Sequence, residues 1–161
     1  MSIALILAGA GSRGAYYEGI YQIIEDLGIK IDKFYGTSIG SVTAASFALK
    51  FNRDKRLALW NEIARNFSKF AYNSLIRTLF FNLYNSTNDD RKLKSWIKEN
   101  FNYEFPKDGS LKISVANLLT GENIVINHGN VGDAICASTA FPPVLSPFLF
   151  KYEGREILGG D

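Results

Sequence analysis

The sequence predicts an α/β domain built on a parallel sheet. Two strand-like runs, the apolar Ile3–Leu7 and the short Lys33–Tyr35, are each followed by a glycine-bearing turn and then by a helix-like segment. That repeated strand–turn–helix order is how parallel strands are joined by crossover helices. At 161 residues the chain has room for one domain with a real core and is short for two, so residues 1–161 are taken as a single unit. A composition of 47% hydrophobic and 21% charged residues is that of a folded globular chain.

Each element follows from its own pattern. Ile3–Leu7 is a continuous apolar run, as expected of a strand covered on both faces. Gly9-Ala10-Gly11-Ser12-Arg13-Gly14 is a turn, and Ala15 to Leu27 carries Ile20, Ile23, Ile24 and Leu27 at helical spacing, with Gly28 as the stop. Lys33–Tyr35 leads into Gly36-Thr37-Ser38-Ile39-Gly40, and Ile39–Leu49 is small and apolar almost all round, as a buried helix is. From Arg53 to Phe105 charges alternate with Trp60, Phe67, Phe70, Leu75, Leu79, Phe80, Phe81, Trp96 and Phe101, which predicts a helical insertion broken near Tyr84–Asp89. Leu111–Leu118 and Glu122–Asn127 form a hairpin across Thr120-Gly121. Val131–Ser138 is helical, and Phe148–Tyr152 and Glu156–Leu158 are strands joined at Glu153-Gly154.

Composition also excludes functions. Eighteen basic residues against 16 acidic ones, with no dense basic run, give nucleic-acid binding no support. The single cysteine, Cys136, forms no intramolecular disulfide, and no cysteine–histidine cluster marks a metal site. The N-terminus lacks a basic lead and its apolar run is short, so it predicts a strand rather than a signal peptide; no segment has the ~20 apolar residues of a membrane span. A cytoplasmic location is expected. Ile157-Leu158-Gly159-Gly160-Asp161 resembles the middle of a strand and turn, and the chain is expected to be a trimmed piece of a longer one.

Chemistry concentrates in two glycine turns. Gly36-Thr37-Ser38-Ile39-Gly40 is a GxSxG pentapeptide, which holds a serine hydroxyl exposed in a sharp strand-to-helix turn; a loop that merely caps a helix fits the same letters. Gly9, Gly11 and Gly14 match G-x-G-x-x-G, but a dinucleotide site needs an acid at the end of the second strand, and Asp32 falls at its start. The alternative is an oxyanion loop, whose free N–H groups hold the negative oxygen of a tetrahedral acyl intermediate. Both turns fall at the carboxyl ends of neighbouring strands, which brings Ala10, Gly11 and Ser12 towards Ser38; Arg13 adds charge or braces the loop. A serine needs a proton acceptor. The one histidine, His128, lies in a polar turn, and Asp26, Asp54, Asp89, Asp90, Asp108 and Asp133 fit charged faces, turns or a helix start. Asp161, after a strand and two glycines, leads the candidates.

These pieces resemble the patatin-like phospholipases. Leu7-Ala8-Gly9-Ala10-Gly11-Ser12-Arg13-Gly14-Ala15 is similar to the family's glycine-rich loop, and Phe34-Tyr35-Gly36-Thr37-Ser38-Ile39-Gly40 to its nucleophile motif. Ala134-Ile135-Cys136-Ala137-Ser138-Thr139-Ala140-Phe141-Pro142-Pro143-Val144 is similar to the block ahead of the family's aspartate. Ala10 interrupts the usual run of glycines, and Gly159-Gly160 precede Asp161 where the family places a glycine after it. Either Asp161 opens that motif, or Leu158 stands where the acid would be and the chain is silent. The resemblance implies a three-layer α/β/α domain with a mainly parallel sheet, and hydrolysis of lipid ester bonds without metal or organic cofactor. It implies Ser38 as nucleophile, Asp161 as proton acceptor, Gly9–Gly14 as the oxyanion loop and Gly36 and Gly40 as the elbow glycines. A lipid ester is the expected partner, with peripheral membrane contact open and no oligomeric state implied. A silent lipid- or partner-binding module is the alternative, and the aromatic Arg53–Phe105 region either walls an acyl chain or packs its own helices.

Overall fold

The computed structural model describes residues 2–65, 88–142 and 145–161. Strand β1 (Ala4–Leu7) leads through a 3-10 turn (Gly11–Gly14) into helix α1 (Ala15–Asp26), then β2 (Lys33–Gly36) and α2 (Ile39–Ala48). Residues 53–65 are helical (α3), and α4 is Asn88–Asn100. The hairpin β3 (Leu111–Asn117) and β4 (Asn123–Ile126), helix α5 (Val131–Ser138) and the hairpin β5 (Phe148–Tyr152) and β6 (Arg155–Gly160) complete the order. The fold is α/β.

β1, β2 and β3 form a parallel core, with Leu7 opposite Gly36 and Gly36 opposite Ile113. The two hairpins extend this core in antiparallel fashion: β4 and β6 pair with β3, and β5 pairs with β6. At the end of β3 successive residues address opposite edges: Asn117 N–H donates to the Glu122 carbonyl, and Leu118 N–H, just past the strand, to that of Leu158. β6 therefore comes in beside the end of β3, close to where β2 turns into Ser38.

The core is the sheet face that carries Leu7, Phe34, Leu111, Ile113 and Val115, all buried, under Val42, Ala45 and Phe47 of α2 and Ile135 and Ala137 of α5. Removing each of the larger side chains from water contributes roughly 1.5–3 kcal/mol. The alternate residues Tyr35, Lys112, Ser114 and Ala116 are half-buried.

Several expectations need correction. β1 is not covered on both faces: Leu7 lies buried on the face that α2 covers, but Ile6, on the opposite face, is 76% exposed. α1 turns the other way from the expected apolar stripe. Ile20, Ile23 and Leu27 face outward, while Tyr17, Glu18, Tyr21 and Gln22 face the core. The cause is polar. Arg56 of α3 is 3% exposed and donates through Nε to both oxygens of Glu18 (3.0 and 3.1 Å), and through its other nitrogens to Glu25 and the Phe51 carbonyl. Tyr21 stacks on Phe47 at 3.7 Å beside this guanidinium. Burial alone would lower the Arg56 pKa, but its bonds to Glu25 and Glu18 outweigh that and raise it.

Gly159 and Gly160 lie inside β6 rather than after it. Asn88 and Asp89 are already helical, and Phe101 and Phe105 follow α4 in non-helical backbone. Phe67, Phe70, Leu75, Leu79, Phe80 and Phe81, the expected break at residues 84–87, and Pro143 and Val144 lie outside the described residues.

Candidate active site

Ser38 occupies a strained junction. Its φ of +53° and ψ of −131° lie in a region that non-glycine residues rarely adopt, and such strain persists only where the surroundings over-determine it. Here every backbone polar group of Thr37 and Ser38 is bonded. Thr37 N–H donates to the Leu7 carbonyl (3.0 Å), and the Thr37 carbonyl accepts from Gly40 N–H (2.9 Å). The Ser38 carbonyl accepts from Ser41 N–H (2.8 Å) and Ser41 Oγ (2.6 Å), and Ser38 N–H donates to Ser138 Oγ (2.9 Å).

The two elbow glycines are required by close approach. A Cβ on Gly36 would stand 2.5 Å from the Gly40 carbonyl oxygen, and one on Gly40 would press on the Leu7 carbonyl and sit 2.7 Å from the Ala8 oxygen. With no side chain at either place, α2 starts directly over the end of β1. Ser38 is its N-cap, so the positive end of the helix dipole faces the hydroxyl, where negative charge is favoured.

Asp161 follows β6 and hangs from the third motif block: its N–H donates to the Ala140 carbonyl at 2.7 Å. The meeting point with Ser38 is Gly9. A Cβ built on Gly9 would be 3.2 Å from Ser38 Cβ, 3.9 Å from Ser38 Oγ and 3.9 Å from Asp161 Oδ2. Among the described residues no hydrogen bond joins the two side chains directly. Such bonds commonly tighten only when substrate is bound.

Gly9, Ala10, Gly11, Ser38 and Asp161 line one cavity of about 520 Å3, whose other walls include Ile39, Val42, Ile63, Trp96, Phe141 and Leu145. The lining is apolar apart from a few convergent polar groups, as in most small-molecule sites. Its charged members are Glu62 and Asp161. The rest of the glycine loop does not reach this wall. Arg13 N–H is committed to the Ala10 carbonyl (3.1 Å), Arg13 itself is exposed, and Gly14 is buried, so close to Trp60 and Ile39 that a Cβ would come within 3 Å of both.

Two competitors for the chemistry lie elsewhere. The His128 ring lies tilted against that of Tyr152 (centroids 4.5 Å apart), with Nδ1 3.1 Å from the Tyr152 hydroxyl, beside a separate cleft. Asp32 accepts from Ile3 N–H at the start of β2, at the end of the sheet away from Ser38. Among the described residues no group of three or more His, Cys, Asp or Glu side chains could hold a metal ion.

Sequence reasoning missed Ser138, Ser41 and Ala140 as site-building residues. The available signal was polar: Ser41 and Ser138 are fully buried hydroxyls in otherwise small, apolar helices. A buried hydroxyl needs partners.

A family model described as Patatin-like phospholipase matches residues 5–158. An uncharacterised NTE family protein of Mycobacterium tuberculosis is 30% identical over 158 residues, covering 98% of this chain and 26% of that protein. A lysophospholipase NTE1 of Mycosarcoma maydis is 42% identical over 64 residues, 36% of this chain and 3% of the relative. The chain thus spans about a quarter of the length of the mycobacterial relative. Among solved structures, the type III effector protein ExoU superposes with a TM-score of 0.53 at 15% identity, over 89% of this chain and 41% of that one, which is a likeness of fold.

Proposed function

The chain belongs to the patatin-like phospholipase family, and from that premise we propose that it hydrolyses carboxylic ester bonds of phospholipids or related glycerolipids through a Ser38–Asp161 dyad. One observation carries the proposal. Ser38 Oγ and Asp161 Oδ2 stand equally far, 3.9 Å, from the point a Cβ on Gly9 would occupy, on the wall of an apolar cavity.

In this mechanism Ser38 Oγ attacks the ester carbonyl carbon while its proton passes to Asp161. The tetrahedral oxyanion is held by N–H groups of the loop, with Ala10 and Gly11 the best placed because they line the cavity. Collapse breaks the bond to the leaving alkoxide, which takes the proton from Asp161. Water, deprotonated by Asp161, then attacks the acyl-enzyme and releases the carboxylic acid and Ser38. Val42, Ile63, Trp96, Phe141 and Leu145 receive the acyl chain.

Leu118, Leu119 and Phe141 are 41%, 68% and 53% exposed. They extend from the same end of the sheet as Ser38 and form the surface offered to lipid. Contact with the bilayer is proposed to be peripheral, through this surface; among the described residues no helix is long and apolar enough to cross a membrane.

The test is hydrolysis of a short-chain p-nitrophenyl ester by wild type, Ser38→Ala and Asp161→Asn. Each substitution is expected to lower kcat by at least ~10^4-fold, the range seen when one member of a catalytic unit is removed. Activity that survives Ser38→Ala would sink the mechanism. A wild-type chain that binds lipid vesicles without cleaving esters would favour the silent binding module.

A further inference from the structure

Ser138 is fully buried and lies outside the cavity wall, yet it is bonded to the nucleophile's backbone across 100 residues of sequence. We propose that Ser138 is a positioning residue whose hydroxyl holds Ser38 in its strained conformation. The proposal rests on Ser38 being the nucleophile.

The chain of bonds has one direction. Ser138 Oγ donates its only hydrogen to the Ser114 carbonyl of β3 (2.7 Å). Its lone pairs are therefore what faces Ser38, and Ser38 N–H donates to them at 2.9 Å. The other three backbone groups of Thr37 and Ser38 are bonded to the backbone of their own turn or of β1. The Ser38 N–H is the one whose partner is a side chain of a different element. It is also the group that reorients if the residue leaves φ +53° for ordinary negative φ, a rotation that swings Cβ and Oγ off the cavity wall. Ser138 thus links the middle of β3, the last turn of α5 and the elbow through one hydroxyl.

A residue that acts this way changes kcat and leaves substrate binding alone, because it touches none of the cavity. The experiment compares wild type, Ser138→Ala, Ser138→Cys and Ser38→Ala for kcat, KM, thermal midpoint and the rate of covalent labelling by a fluorophosphonate. Cysteine keeps the buried volume but offers a poor acceptor and a weak donor. The expected result is a fall of about 10- to 100-fold in both kcat and labelling rate for Ala and Cys alike, with KM little changed; this is the effect of leaving one buried donor unpaired at the reacting residue. Folded variants whose kcat and labelling rate stay within about twofold of wild type, well below one lost bond, overturn the proposal. So does a Cys variant that behaves as wild type, since that assigns Ser138 to packing; if Ser138→Ala does not fold, the Cys variant decides alone. Ser38→Ala separates the two ideas: undiminished activity and labelling there refutes the nucleophile itself.

Discussion

Replacing Gly9 by alanine tests the site with one methyl group. The added Cβ meets Ser38 Cβ at 3.2 Å, tighter than the 3.4–4 Å of ordinary contact, so something must move by a few tenths of an ångström. The backbone of Ser38 cannot yield freely, because its own groups and those of Thr37 are all bonded. The Gly9 loop yields instead, and the methyl also stands 3.9 Å from both Ser38 Oγ and Asp161 Oδ2, in the space between those two side chains and the loop. Stability should scarcely change. Gly9 does not have a left-handed φ, so alanine reduces the freedom of the unfolded chain by about 0.4–1 kcal/mol, which offsets the local squeeze. At roughly 2–4 °C per kcal/mol for a chain of this size, the thermal midpoint stays within about 4 °C. Activity should fall about 3- to 10-fold, since a shift of a few tenths of an ångström is a fraction of the ~1 Å displacement that costs about 100-fold. The assays are a thermal melt and ester hydrolysis on the same preparation. Undiminished hydrolysis by a well-folded Gly9→Ala would refute the placement of the chemistry at this point.

Two further outcomes are expected away from the chemistry. Arg56→Met strands the buried carboxylate of Glu18 and should cost about 3–5 kcal/mol, lowering the thermal midpoint by roughly 10 °C, while the double variant with Glu18→Leu recovers most of it; equal melts for wild type and Arg56→Met would show that the pair holds nothing. Asp32 is kept below the ordinary carboxylate value of 3.8 by the Ile3 N–H it accepts and, to a smaller extent, by Lys30. A depressed carboxylate stabilises above its ordinary pKa and loses that contribution as pH falls through its lower folded value. Asp32→Asn should therefore flatten the loss of thermal stability below about pH 4 and leave the slope near neutrality unchanged, as read from melts across an acid series.

What was legible in the sequence was local. Gly36, Ser38 and Gly40 announce the elbow because its constraint is steric and spans five residues. β3, β4, β5 and their turns follow from alternation and from Gly121 and Gly154. The facing of α1 was illegible for a physical reason: a stripe of Ile20, Ile23 and Leu27 predicts burial only if nothing stronger pulls the opposite face inward, and the partner that does so, Arg56, lies 38 residues from Glu18. The one-sided burial of β1 likewise depends on which face of the sheet the helices take, a property of the whole fold. Ser138 was visible as part of a motif block, but its bond to Ser38 exists only once α5 has docked beside α2.

The C-terminal end of α5 and the two residues beyond it act as a ruler. Residue 138 grips Ser38 through a hydroxyl, and residue 140 grips Asp161 through a carbonyl. The separation of Ser38 and Asp161 is thereby set by a count of residues along this stretch rather than by side chains tuned one at a time. Substitution at position 140 spares the grip, since any residue carries that carbonyl. A single insertion or deletion between 138 and 140 does not, because it would shift one partner against the other while every motif still read correctly.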